Sequence, residues 1–194
     1  MLTDEIILGL DIGTTKICAA IGDVHENGCI NVIGIGQCSS GDGVKRGTIV
    51  DIDKTTQAIM DAVDEAEKIA DVFIDRVFVG IAGAHINSIN SQGIIAIKSN
   101  SREITRDDID RAVESAKTNI SIPHHQEIIH ILAREFVVDE QKDINNPVGM
   151  VGSRLEAQVH IVTGAVTAIQ NIHKCCETAK LKVEEVVLQP YASS

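Results

Sequence analysis

Aromatic side chains are scarce in this sequence: they make up 2% of its 194 residues, and tryptophan is absent. Because 44% of the residues are hydrophobic, the core must be built from aliphatic side chains. Basic residues are also few, with 17 Lys and Arg against 28 Asp and Glu and a formal net charge of -11. Nucleic-acid binding needs clustered positive charge, so the composition disfavours nucleic acid as a partner.

The cysteines and the apolar runs exclude further classes of protein. The cysteine number is odd and no C-x-x-C pair is present, which favours reduced, mostly buried thiols in a cytoplasmic protein. The acidic first residues do not resemble the basic start of a signal peptide. No run of about 18 apolar residues occurs, so no transmembrane helix is predicted. The cysteines are Cys18, Cys29, Cys38, Cys175 and Cys176.

The segment 9–16, GLDIGTTK, joins two apolar runs and predicts two strands with a tight polar turn between them. Gly13 allows the backbone to approach an anion, and the amides and hydroxyls that follow it can bind phosphate oxygens. Asp11 could hold Mg²⁺ through water. The candidate phosphate-binding residues are Asp11, Gly13, Thr14, Thr15 and Lys16, the last of which supplies a positive charge.

The first 83 residues and the last 30 predict α/β structure. The first three strands should form an antiparallel meander, and Asn27-Gly28 indicates a hairpin turn. The glycine-rich loop 39–47 could form a second anion cradle with Lys45 and Arg46, but its composition favours a flexible connection. The predicted elements are strands over 6–10, 17–23, 29–38, 76–82 and 183–188, a helix over 54–70 capped by Asp53, and a helix over 165–180.

The middle of the chain has a different texture and predicts a separate small unit. Residues 84–93 are rich in Asn, Ser and His and suggest a domain boundary. Thr105 and Asp108 have the spacing of a capping box and predict the start of a helix. Residues 140–153 are polar and suggest an exposed loop. The predicted elements are strands over 93–98, 127–139 and 155–163 and a helix over 105–119.

Four stretches carry a resemblance to a known family. DIGTTK at 11–16 resembles the first phosphate loop of the actin, Hsp70 and sugar-kinase superfamily. GVKRGTIVDI at 43–52, VGIAG at 79–83 and VLQP at 187–190 are similar to FtsA, a family of bacterial cell-division proteins that resemble actin. The similarity extends over essentially the whole chain.

The resemblance implies the fold class: an α/β, actin-like (ribonuclease H-like) ATPase half-domain, called IA, with an inserted small α+β strand–helix–strand–strand subdomain, called IC. IA would comprise residues 1–83 and 163–194, and IC would comprise residues 84–162. Composition alone places the boundaries at the same positions. The abrupt end after the last predicted strand suggests the N-terminal half of a longer protein.

The resemblance also implies a function. FtsA binds ATP with Mg²⁺, self-associates into actin-like filaments, tethers FtsZ filaments to the cytoplasmic membrane and recruits later division proteins. The chain would act on the cytoplasmic face of the inner membrane at the division septum, as at most a weak ATPase in the full-length protein. The FtsZ-binding region, the membrane helix and the second phosphate loop would lie in the other half, whereas IC would keep contacts with filament neighbours and later division proteins. A ligand site normally encloses its ligand, so weak or undetectable ATP binding and no activity are expected of this chain.

Several other interpretations are open or disfavoured. A type IV pilus assembly protein of the same superfamily and a sugar or acetate kinase are the alternatives, while an Hsp70 chaperone is disfavoured because its corresponding subdomain is built differently. No catalytic residue is proposed. A metal site at His124, His125, His130 and His160 is disfavoured, because no Cys or acidic ligand lies at a typical spacing. One residue of the Cys175-Cys176 pair lies on the apolar helix face, which favours core packing over reactivity.

Overall fold

Three consecutive antiparallel strands open the chain, as predicted. In the computed structural model, which describes residues 5–98 and 102–189, the first strand pairs with the second and the second with the third. Two later strands run parallel to the first, and together the five form one sheet. The strands are β1 (Glu5–Ile12), β2 (Lys16–Val24), β3 (Ile30–Ser39), β6 (Arg76–Ile81) and β11 (Lys182–Leu188). Their order across the sheet is β11-β6-β1-β2-β3.

Helices α1 (Ile52–Ala70) and α3 (Val166–Thr178) pack against each other, and α1 also packs on β2 and β3. The predicted N-cap at Asp53 is wrong. Asp51 has extended backbone angles, and its carboxylate accepts a hydrogen bond from the amide of Lys54 at 3.0 Å, so the helix begins two residues earlier. Asp53 lies in the first turn instead.

Glycines in β3 allow α1 to approach the sheet closely. A Cβ atom on Gly36 would overlap the carbonyl oxygen of Ala62, and one on Gly34 would overlap that of Ala66. The helical spacing of the apolar residues, which include Ile69 and Ala70, predicted that both lie on the buried face, and this packing corrects the prediction for one of them. Ala70 contacts β3 at Gly34, whereas Ile69 is 60% exposed.

The loop predicted to be flexible at 39–47 is instead folded. Its second half forms a two-residue hairpin between β4 (Val44–Lys45) and β5 (Thr48–Ile49). Arg46 and Gly47 make the turn with φ values of 51° and 76°, and the glycine suits that conformation. The carbonyl of Gly43 accepts hydrogen bonds from the amides of Val50 and Asp51, which fix the hairpin at the start of α1.

Residues 87–164 form a second unit, separate from the unit made by the residues before 87 and after 164. Its four-stranded sheet has the order β7-β10-β8-β9, and the buried alanines of α2 join its aliphatic core. The predicted capping box is confirmed, since Thr105 and Asp108 each bond the other's backbone amide. The elements are β7 (Ile86–Ala96), α2 (Arg106–Thr118), β8 (Gln126–Val138), β9 (Gln141–Ile144) and β10 (Arg154–Ala165).

Two expectations for this unit are wrong. The strand predicted over 93–98 begins earlier, at Ile86, because β7 is an edge strand whose Asn and Ser side chains are mostly exposed. The two units divide between residues 86 and 87, within the stretch 84–93 that suggested a boundary. The predicted loop 140–153 contains β9, and Ile144 and Pro147 are buried there. In the residues that the structure describes, no helix combines the length and the hydropathy needed to cross a membrane. The predicted tail after Gln189 lies outside the described residues.

Candidate functional site

The turn between β1 and β2 is closed by Gly13, whose amide donates to the carbonyl oxygen of Lys16 at 3.0 Å. A Cβ atom at Gly13 would stand 2.7 Å from that oxygen, so the turn needs glycine here. The side chains of Thr14 and Thr15 are exposed at its tip. The structure therefore has the predicted tight polar turn between two strands, with two hydroxyl groups exposed at its tip.

A second segment supports this turn from the side. Ser40 donates from its hydroxyl to the carbonyl of Gly13 at 2.8 Å and from its amide to the carbonyl of Thr15 at 3.2 Å. The amide of Gly47 donates to the hydroxyl oxygen of Thr14 at 3.1 Å. Three hydrogen bonds from the segment 40–47 thus support the turn between β1 and β2. The glycine-rich composition of this segment did not indicate that contact.

Two more glycines close the site against the end of β6. Gly47 and Gly83 both have positive φ values, 76° and 143°. A Cβ atom on Gly47 would overlap the carbonyl oxygen of Ala82. The result is a cavity of about 290 Å³ whose lining includes three glycines. It is lined by Asp11, Ile12, Gly13, Thr14, Gly47, Ala82, Gly83 and Gln189.

Asp11 stands at the end of β1 and is the only acidic residue in that lining. Burial raises the pKa of its carboxyl, while the positive charge of Lys16 and a hydrogen bond from the Gln189 side-chain amide oppose the shift. Gln189 binds Oδ1 of Asp11. The hydrogen bond from Gln189 thus fixes the Asp11 carboxylate at the edge of the cavity.

Two of the five predicted residues do not line the cavity. Thr15 is exposed at the tip of the turn, and Lys16 begins β2 with its ammonium 3.4 Å from Oε1 of Gln37. Lys16 still acts on the site, because its positive charge opposes the rise in the pKa of Asp11 that burial causes. The structure adds Ser40, Gly47, Gly83 and Gln189, which lie far from the turn in sequence.

The histidines and cysteines do not join the cavity lining given above. Within the described residues no group of three or more His, Cys, Asp or Glu side chains is arranged to hold a metal ion. Nδ1 of His160 lies 2.7 Å from Oδ1 of Asn90. Cys175 and Cys176 are both fully buried. Cys29 is exposed and lies just before β3, so the expectation that it belongs to a buried strand is wrong.

The fold resembles that of one solved assembly. The PilM-PilN type IV pilus biogenesis complex contains a chain that superposes on 96% of this one with a TM-score of 0.66 at 14% identity, over 48% of its own length. At that identity the likeness concerns the fold alone. The fold is accordingly α/β and actin-like, with a small inserted α+β unit.

Sequence comparisons give matches to cell division proteins named FtsA. Residues 83–163 match the family model described as the SHS2 domain inserted in FtsA. Cell division protein FtsA of Neisseria meningitidis is 48% identical over 95% of this chain and 44% of its own length, and that of Pseudomonas aeruginosa is 45% identical over 98% and 45%. The Escherichia coli K12 protein is 34% identical over 98% of the chain and 44% of its own length. The chain is similar to FtsA proteins over nearly its whole length, and it spans a little under half the length of these curated relatives.

Proposed function

We propose that this chain contributes to bacterial cell division as the part of an FtsA protein that binds the phosphates of ATP. The supporting observation is the turn at Gly13, which the 40–47 segment and Gln189 hold against a small cavity. The names of the relatives support the division role. The identity to FtsA proteins, 34% to 48% against 14% for the pilus protein, favours this role over pilus assembly.

The described residues fit a nucleotide phosphate group bound with Mg²⁺. A Cβ atom would fill the cradle at Gly13, and the exposed hydroxyls beside it can donate to phosphate oxygens. Lys16 adds a positive charge near the turn, and Asp11 would hold the hydrated cation. The site resembles other backbone cradles for anions, in which amide groups rather than side chains carry most of the recognition.

A cavity of about 290 Å³ lies at the lower end of the roughly 300–1,000 Å³ that small-molecule sites usually measure, so it suits the phosphates better than a whole nucleotide. The adenosine would therefore need a second wall. We propose that this wall belongs to the remainder of a longer protein, as the lengths of the relatives suggest. The chain by itself would then bind ATP weakly and have no useful ATPase activity.

Amide NMR of the ¹⁵N-labelled chain tests the nucleotide proposal directly. Millimolar ATP with Mg²⁺ should shift the amides of Gly13, Thr14 and Gly47. Thr14→Val, which removes the hydroxyl but keeps the side-chain shape, should weaken the shifts at the turn. Thr118→Val, at an exposed hydroxyl of the second unit, is the matched control. Shifts confined to other residues would overturn the site, and submicromolar affinity would overturn its description as half of a pocket.

The finer roles are part of the same proposal. Residues 1–83 and 163–194 would be subdomain IA, and residues 84–162 would be subdomain IC, with filament contacts and binding of later division proteins assigned to IC. FtsZ tethering and membrane attachment at the septum would belong to the remainder of the protein. Deletion of 87–164 from a full-length relative should leave FtsZ rings in place and prevent the arrival of later division proteins. Normal arrival of those proteins would contradict the assignment.

A further inference from the structure

A phenylalanine between α1 and β6 is almost fully exposed. Phe73 has 95% of its surface accessible to solvent. Ile69, in the last turn of α1, has 60% of its surface accessible. The chain contains three phenylalanines in all, so placing one in water is unusual for this composition. Exposed aromatic side chains with an apolar neighbour commonly mark interaction surfaces, because their burial contributes strongly to binding.

The loop that presents Phe73 is fixed by one glutamate. Asp71 ends α1 in the left-handed conformation with φ 56°, and its amide donates to the carbonyl of Glu67. The amide of Val72 donates to the same carbonyl at 3.3 Å, and the amide of Ile74 donates to Oε1 of Glu67 at 2.8 Å. The amides on both sides of Phe73 are thus bound, so a partner would not have to order this loop.

A cavity of about 320 Å³ lies beside the phenylalanine, and its six lining residues include three acidic side chains and one basic one. Residues 64–76 contain five acidic and two basic side chains, and Arg76 lies 3.8 Å from Asp75. The lining residues are Asp64, Glu67, Lys68, Asp71, Val72 and Phe73. This set, with Ile69, is called the Phe73 surface below.

We propose that the Phe73 surface binds a segment of a partner protein that carries basic side chains next to a bulky apolar one. The apolar side chain would pack on the Phe73 ring, and the cations would lie against the carboxylates of Asp64 and Asp71. Charge complementarity selects this occupant, since clustered carboxylates attract cations and repel other anions. The inference is independent of the nucleotide site.

The same charges disfavour the other occupants. A nucleic acid or an anionic lipid surface would be repelled by the acidic lining. A second copy of the chain in a two-fold contact would bring acidic patches together, in a protein whose formal net charge is already -11. A basic and apolar peptide segment satisfies both the phenylalanine and the carboxylates.

Four synthetic peptides of about 12 residues test the proposal against the ¹⁵N-labelled 194-residue chain. They combine leucine with arginine, leucine with glutamate, leucine with serine, and serine with arginine. The leucine–arginine peptide should bind most tightly and shift the amides of Val72, Phe73 and Ile74. Phe73→Ser should weaken its binding roughly tenfold, as truncation of a central aromatic anchor does. Asp64→Asn should weaken it less and reduce its salt dependence.

Ile94→Ser provides the control, because Ile94 is also exposed, at 46%, and lies in β7 of the other unit. It should leave binding unchanged. Equal binding of the serine–arginine peptide, unaffected by Phe73→Ser, would show general attraction to an acidic protein and overturn the proposal. Binding of no peptide at millimolar concentration, or shifts confined to other surfaces, would also overturn it. Phe73→Leu, which keeps an apolar side chain, should bind with an intermediate affinity.

Discussion

The side-chain amide of Gln189 donates a hydrogen bond to Oδ1 of Asp11, which joins residues 178 positions apart in the sequence. Asp11 is the second-last residue of β1, and Gln189 directly follows β11. In the sheet β6 lies between β1 and β11, so this hydrogen bond passes over the end of β6. Both residues line the cavity beside the turn between β1 and β2. The candidate site therefore depends on the completed sheet and not on the N-terminal hairpin alone.

We expect Asp11→Asn to stabilise the chain at neutral pH. Burial raises the pKa of Asp11 in the folded state above the ordinary value of 3.8, so ionisation of the carboxyl disfavours folding as pH rises through that range. Asparagine keeps an oxygen that can accept from Gln189 and removes the charge. Urea unfolding at pH 7 should show the variant to be the more stable protein.

The advantage of Asp11→Asn should disappear near pH 3, where the aspartate is protonated in both the folded and the unfolded state. Asp42→Asn, in the exposed part of the 39–47 loop, is the control and should change stability little at either pH. A stability difference that does not vary with pH would contradict the role assigned to burial.

Thiol reactivity should distinguish Cys29 from the buried pair. Burial raises the pKa of Cys176 to about 12 and also raises that of Cys175, and only the thiolate reacts readily. Iodoacetamide at pH 8 should label the exposed Cys29 first, and Cys29→Ser should remove the fast phase. Peptide mass mapping should find Cys176 unlabelled until urea unfolds the chain. Rapid labelling of Cys176 in the folded protein would be inconsistent with the packing of α3.

Gly36→Ala should destabilise the first unit by about 1–3 kcal/mol, the usual result of forcing an extra group into a packed core. The added methyl would overlap the carbonyl oxygen of Ala62 on α1. Gly9→Ala is the matched control in the same sheet, since its nearest neighbour atom would be 3.9 Å away. Urea unfolding should show a much smaller effect for Gly9→Ala, and equal losses for the two variants would argue against the close approach of α1.

Thr105→Ala should destabilise the second unit by about 1 kcal/mol, because it removes the side-chain cap of α2. Thr105→Ser keeps the hydroxyl and should recover most of the stability. The hydrogen bonds from Thr105 lower the pKa of Asp108, so the box stabilises the fold above pH 3.8 and loses that contribution as pH falls. The effect of Thr105→Ala in thermal unfolding should therefore be larger at pH 7 than at pH 3.

The sequence predicted the local features of the fold well, since they depend on neighbouring residues. The antiparallel meander follows from alternating apolar residues and an Asn-Gly turn, and the capping box follows from Thr105 and Asp108. Errors arose where a polar stretch forms a strand. In β7, Asn and Ser face solvent on an edge strand, a placement that only the neighbouring strands reveal. Ile69 was misplaced because the path of α1 over Gly34 decides which residue of its last turn is covered.

By itself the sequence determined the tight turn between β1 and β2, because a Gly-Thr-Thr pattern between two apolar runs specifies where the chain reverses. Only the tertiary structure decided what surrounds that turn. Ser40, Gly47, Gly83 and Gln189 reach it through the hairpin and the parallel strands, and no local pattern marks them as partners of Asp11. Short-range order follows from neighbouring residues, whereas a site assembled from distant segments depends on the packing of the whole sheet.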